Sequence, residues 1–332
     1  MKKIVVVAAA LLLAGCETIS YYAQAIGGHL NVLSAARPLD AWLADPATTP
    51  ELRGRLEMAR RIREFASREL ALPANASYAS YADVQRPYVV WNVYAAAEFA
   101  VEAKRECFPF TGCVSYRGFF SEAEARRHAE RLRREGNDVY VGGVPAYSTL
   151  GWFDDPLLST FIGYTDSQLA RLVFHELAHQ VVYAKDDTTF NESFAVVVEE
   201  EGVRRWLEAE SRGPELATFR AAQVRKRRLA AQVEDARQRL KAVYSSNVSV
   251  EEKRRAKADE FARLRAEFGA IVPAEPNNAF LVSISVYTQL VPAFEQLLAR
   301  SGSLEKFYAR VRELAAGEKP GAQLTAMSTT LR

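Results

Sequence analysis

The sequence predicts an α+β protein that is mainly α-helical, with a small sheet and an antiparallel helical hairpin inserted into it. Three features carry this expectation. Apolar residues recur at helical spacing across residues 50–72, 164–184 and 279–300. A run rich in β-branched and aromatic residues, 88–101, is followed by two shorter runs of the same kind. Residues 214–270 hold a narrow apolar seam within a highly charged stretch. With 332 residues, 49% hydrophobic and 25% charged, the chain has an ordinary globular balance. A net charge of +2 gives no bulk reason to expect nucleic acid as a partner.

Lys2 and Lys3 precede an apolar run from Ile4 to Leu13 that is too short to span a bilayer. With the small residues after it, this reads as an export signal over residues 1–15. Leu13-Ala14-Gly15-Cys16 resembles the lipobox of bacterial lipoproteins. That resemblance implies cleavage before Cys16, its acylation, and a membrane anchor of acyl chains. A plain secretory signal with an incidental cysteine is the alternative. Glu17 stands where an aspartate is associated with inner-membrane retention, so the expected location is the outer membrane, facing the periplasm. Residues 16–332 read as one domain.

Residues 17–35 read as a short helix. In 50–72, Leu52, Leu56, Ile62, Phe65 and Leu70 form an amphipathic stripe. Residues 88–101 read as a strand, 113–120 as another, 121–138 as a helix ending near Gly136, and 139–144 as a further strand. His128, in that charged helix, reads as a solvated surface residue. Cys107 and Cys113 flank a Pro- and Gly-containing turn, and export favours a local disulfide over free thiols. Thr165 and Gln168 have capping-box spacing at the start of the 164–184 helix, and Asp166 suits its positive end. Asn191 is a good N-cap for the next helix.

In 214–270, Leu229, Val233, Ala236, Leu240 and Val243 alternate at spacings of four and three. Ser249 and Glu252 restart a helix, and Phe261, Leu264 and Phe268 continue the seam on the return. The basic run 225–228 reads as a solvated face, with anionic lipid or polymer as the alternative. A helical return over 279–300, a helix near 303–316 and a polar tail complete the chain.

Two of the chain's four histidines lie in His175-Glu176-Leu177-Ala178-His179. On a helix, His175 and His179 share one face and both can reach one ion. Glu176 is rotated about a quarter turn from His175, close enough to bond a metal's water without ligating. Glu192 opens the following helical stretch. Ala184 stands roughly 8 Å beyond His179 along the helix, and the eight residues to Glu192 span up to about 26 Å, so the chain can double back. Two histidines and one glutamate leave a position open for water, as catalytic zinc requires.

His175 to His179 followed by Asn191-Glu192-Ser193-Phe194-Ala195 is similar to the gluzincin metallopeptidases. Their zinc aminopeptidases carry Asn-Glu-Gly-Phe-Ala at the second site. The resemblance implies a zincin-like catalytic core with one zinc held by His175, His179 and Glu192, and Glu176 as general base. Two departures stand out. Those families place about eighteen residues between the second histidine and the glutamate, whereas twelve lie between them here, and their Gly-Ala-Met-Glu-Asn motif is absent. The chain also resembles, over nearly its whole mature length, the "putative aminopeptidase" family of proteobacterial lipoproteins.

Zincins often pair substrate backbone with a strand before the zinc helix, and Ser148, Thr149, Leu150 and Gly151 occupy that position. A structural turn with Trp152 and Phe153 in the core is the alternative. Tyr287 is the candidate oxyanion donor, or else a core tyrosine. Glu199 is a candidate to orient a ligating histidine, or else a solvated residue; Asp186 and Asp187 are weaker candidates. His29 reads as surface or structural. The expected function is a lipid-anchored zinc metallopeptidase, an aminopeptidase by resemblance, acting on peptide substrates. The competing reading is a non-catalytic envelope scaffold that binds a protein partner through the hairpin 214–270 and keeps a structural metal site. A zinc hydrolase of non-peptide amides is a third.

Overall fold

The computed structural model describes residues 20–108 and 112–329. The export signal and Cys16 lie outside the described residues.

Strand β3 (Val90–Ala97) organises the mixed half of the fold. It is the middle of an antiparallel sheet, between β6 (Arg117–Phe119) and β7 (Asn137–Val144). Its side chains alternate in direction, and both faces are covered. Trp91, Val93 and Ala95 pack on helix α4 (Glu122–Arg134) through Ala125, Ala129 and Leu132. Tyr94 and Ala96 pack on helix α9 (Asn278–Thr288) through Ala279, Val282 and Val286. His128 belongs to the covered stripe of α4, one turn from Ala125 and Leu132, and is buried rather than solvated. Its ring lies 5.2 Å from that of Phe119, and Nε2 is 3.6 Å from a Glu106 carboxylate oxygen.

The expected strand over 113–120 is broken. Its first part pairs back as β5 (Gly112–Val114) on β4 (Glu106–Phe108), and Cys107 and Cys113 face each other there, joined by a disulfide. Tyr116 sits at the break before β6.

The helical half is built on α5 (Asp166–Val181) and α6 (Thr188–Ala209). Every residue from 190 to 199 is buried, the mark of a helix surrounded on all sides. Helix α3 (Pro50–Glu69) contributes Leu56, Ile62 and Phe65 to this core, and Phe194 meets Phe294, Phe307 and Tyr308 from two later helices. Asp187, not Asn191, caps α6, its carboxylate accepting from the Phe190 amide at 3.0 Å. The C-terminal stretch expected as a polar tail forms a further helix, Pro320–Thr329.

Helices α7 (Gly213–Ser245) and α8 (Val250–Phe268) form the antiparallel hairpin. Leu229, Val233, Ala236, Leu240, Phe261 and Leu264 bury its seam, which continues onto the body through Val101, Phe280 and Leu281. The basic run 225–228 is not a bare solvated face. Lys226 reaches Glu199 and Glu200, Arg227 reaches Glu200 and Glu295, and Arg228 reaches Glu267.

Gly202 sets how closely α6 approaches its neighbours. A Cβ there would stand 2.7 Å from Phe174 of α5 and 2.8 Å from Leu70. Gly202→Ala is therefore expected to destabilise by ~1–3 kcal/mol through overpacking, despite its better helix propensity. Urea unfolding measures it, and a stabilised variant would contradict the packing argument.

Candidate metal centre

Helix α5 is fixed at its start. Thr165 and Gln168 make both halves of a capping box. Asp166 pairs with Arg55 at 2.5 Å and with Arg212 at 2.9 Å, joining α3, α5 and the approach to α7. One turn before its end, α5 turns the buried His175 and His179 to one side, with ring centroids 4.8 Å apart. The chain then reverses. Asn191 closes the reversal with both ends of its amide: Oδ1 accepts from the Ala184 amide at 2.7 Å, and Nδ2 donates to the Ala184 carbonyl at 2.8 Å. The next residue, Glu192, thereby points back at the histidines.

The reversal is gripped from outside by the β4–β5 hairpin. The Cys113 amide donates to Asp186 at 2.5 Å, Arg105 donates to the Asp186 carbonyl at 2.7 Å, and the Ser115 amide donates to Thr188 at 3.2 Å. Asp186 and Asp187 therefore serve the reversal and the α6 cap, and Asp187 also accepts from the Gly321 amide at 3.1 Å; these bonds turn them to the reversal and not to the histidines.

Nε2 of His175 and Nε2 of His179 are 3.2 Å apart, and Glu192 Oε2 lies 3.3 and 3.5 Å from them. Ligand atoms about 2.0–2.1 Å from one tetrahedral ion stand about 3.3 Å from each other, so the three donors have the spacing of a shared zinc. Glu192 Oε2 is buried with no hydrogen-bond partner, which fits an oxygen aimed at an ion. The other oxygen, Oε1, accepts from Tyr116 at 3.1 Å. Tyr116 was not singled out from the sequence; it sits at a strand break that the pattern does not reveal.

Behind the triangle, Glu199 Oε2 lies 2.8 Å from His175 Nδ1. Glu199 is 1% exposed, so it is not a solvated member of its acidic run. Arg171 and Lys226 reach its carboxylate at 3.2 and 3.3 Å. Burial alone would raise Glu199, but these two cations and His175 hold it far below the ordinary carboxylate range. Burial likewise opposes charge on Glu192 and is overcome by His179 and His175. Glu176 is raised, chiefly by burial, with the two histidines partly offsetting this.

His175, Glu176, His179 and Glu192 line a cleft of about 440 Å³, with Tyr22, Phe120, Val144, Leu150 and Tyr287 among its walls. The Tyr287 ring is 6.4 Å from that of His175. Burial with the nearby Glu192 charge pushes the Tyr287 pKa well up. His29 is part-buried, 2.7 Å from the Tyr147 hydroxyl.

Residues 148–151 border the cleft through Ser148 and Leu150, but they form a turn and not a strand, with Leu150 and Gly151 at φ of 58° and 81°. The core alternative fails as well, since Trp152 is 80% and Phe153 50% exposed. The buried ionisable residue just beyond this turn is Asp155, which accepts from the Thr149 amide at 2.9 Å and is pushed by burial to about 6.

A family model described as "Putative aminopeptidase" matches residues 20–325 of the chain. No curated protein and no solved structure matches it significantly.

Two predictions follow from this geometry. Glu199→Ala is expected to weaken metal binding at the triangle ~10–100-fold, as loss of a histidine's outer partner does elsewhere, with Lys226→Met smaller because Arg171 remains; chelator competition measures both. Asp155 binds its proton more tightly folded (about 6) than at its ordinary value (3.8). Its contribution to stability is thus fullest below pH ~4 and falls as pH rises to ~6, by on the order of 2–3 kcal/mol. Asp155→Asn should flatten that part of the stability profile; an unchanged slope in urea unfolding across pH 4–7 would contradict it.

Proposed function

The chain belongs to the "putative aminopeptidase" family, and from that membership and the donor triangle we propose that it is a zinc-dependent metallopeptidase acting on peptides. Removal of N-terminal residues is the finer reading, suggested by the family's description. The observation that carries the zinc assignment is the set of three mutual distances, 3.2, 3.3 and 3.5 Å, among His175, His179 and Glu192.

Bound there, zinc would lower the pKa of a water and polarise the scissile carbonyl. In this reading Glu176 takes the attacking water's proton and later delivers it to the leaving amine. Its burial moves it toward the pH range in which a general base works. Glu199, through Nδ1, sets which His175 nitrogen faces the metal. Tyr116 occupies Glu192 Oε1 and leaves Oε2 for ligation. Tyr287 is the candidate oxyanion donor, in the cleft wall with its ring 6.4 Å from that of His175.

A scaffold with a structural metal is the second reading, favoured by one observation: Val248 and Val250 at the hairpin tip are 40% and 44% exposed, as a docking tip would be. We also propose that Cys16 carries the lipid anchor and holds the protein at the periplasmic face of the outer membrane. Mass spectrometry of the mature N-terminus tests this, and an unmodified Cys16 would end it.

Metal analysis of the full chain, with peptide-library cleavage, tests the main proposal. Wild type should hold one zinc and cleave; Glu176→Gln should keep the zinc and lose cleavage by at least ~10²–10⁴-fold. Zinc without cleavage of any peptide would favour the scaffold. Glu192→Ala should lose the metal, and full zinc occupancy in that variant would remove it as third ligand. Tyr287→Phe should lower kcat ~10²–10³-fold, the loss typical of one oxyanion donor; an unaltered kcat returns Tyr287 to a packing role.

A further inference from the structure

An apolar ridge stands in solvent beside the cleft. On α1 (residues 20–35), Tyr22, Ile26, His29 and Leu30 follow the i, i+4, i+7, i+8 spacing of one helix face. Ile26 is 59% and Leu30 54% exposed, while Tyr22 and Ala25 form part of the cleft wall. The turn after Ser148 presents Trp152 and Phe153 to solvent, and the Phe153 ring lies 4.7 Å from that of His29. Helix and turn therefore make one surface.

The turn is held firmly while it exposes these rings. The Phe153 amide donates to Thr149 Oγ1 and the Thr149 hydroxyl donates to the Phe153 carbonyl, each at 3.2 Å. The Trp152 amide donates to the Thr149 carbonyl at 3.1 Å, and buried Asp155 accepts from the Thr149 amide. Contiguous aromatic and aliphatic surface fixed in this way marks a binding surface.

We propose that this ridge is an extended subsite of the cleft, taking apolar side chains of a peptide substrate beyond the bond that is cut. The proposal rests on the peptidase reading above. Continuity with the cleft supports it, because Tyr22, Ser148 and Leu150 line the cleft and lead onto the ridge. From Tyr22 to Leu30 the helix rises about 12 Å, the length of roughly four residues of extended chain. Charge decides between a peptide and a bilayer. The two segments that build the ridge, 20–35 and 146–159, contain no Lys or Arg and expose the carboxylate of Asp154. Surfaces that lie on membranes hold anionic headgroups with basic residues, which these segments lack.

The test compares a short peptide cleaved by the zinc-loaded full chain with the same peptide extended by four Leu and Phe residues. Wild type should prefer the extended form, and Trp152→Ser/Phe153→Ser should reduce that preference about tenfold, mainly through KM. Both side chains are exposed, so circular dichroism should show the variant folded. A variant that keeps the full preference overturns the subsite. So does a variant whose sole loss is binding to phosphatidylethanolamine–phosphatidylglycerol vesicles, which would assign the ridge to the membrane. Fluorescence anisotropy of the labelled extended peptide on Glu176→Gln reads the ridge without turnover. Peptide bound there about tenfold more weakly after Trp152→Ser/Phe153→Ser supports the ridge even if no peptide is cut; no such loss ends it.

Discussion

Three carboxylates, Glu176, Glu192 and Glu199, are each less than one-tenth exposed within a single pair of helices, and the architecture around them answers that burial. Unpaired, such charges would cost more than a domain's whole margin of stability. Each has its own answer. Glu199 has two cations and an imidazole; Glu192 has two imidazoles and the Tyr116 hydroxyl. Glu176 is left with a raised pKa beside the histidines. One of the Glu199 cations, Lys226, comes from α7. The hairpin is thus tied to the candidate metal centre by charge as well as by its seam, and α7 has a reason to cross α6 where it does.

The local elements were legible because their signals are local. Capping boxes at Thr165 and Ser249 satisfy amides within one turn, and the hairpin seam repeats over neighbouring turns. His175, Glu176 and His179 share a helix face by spacing alone. Glu192 was reachable by chain length, but its placement depends on Asn191 bonding Ala184 on both sides, a contact that a residue read as an N-cap does not suggest. Lys226 and Tyr116 arrive from distant segments whose sequence reads as charged helix and strand. His128 looked solvated because arginines surround it in sequence, yet its spacing from Ala125 and Leu132 places it on the inner stripe. Trp152 departs in the opposite sense: the alternative that placed it in the core fails because its turn holds it outward.

The twelve-residue spacing between His179 and Glu192, shorter than in the gluzincins, also has a physical account. The reversal needs little chain, because Val182 leaves the helix in an extended conformation and Asp187 starts the next one at once. Asp186, at φ 68°, takes the tightest part of the bend. A longer connection would add loop without bringing the glutamate closer.

The β4–β5 hairpin gives thiol chemistry a say in metal chemistry. The covalent link between Cys107 and Cys113 closes the hairpin whose backbone and Arg105 hold Asp186 and Thr188. Those residues lie in the reversal and first turn that deliver Glu192. Oxidation and the placing of Glu192 are therefore mechanically in series: a surrounding that kept the two cysteines reduced would also loosen the clasp on the candidate third ligand.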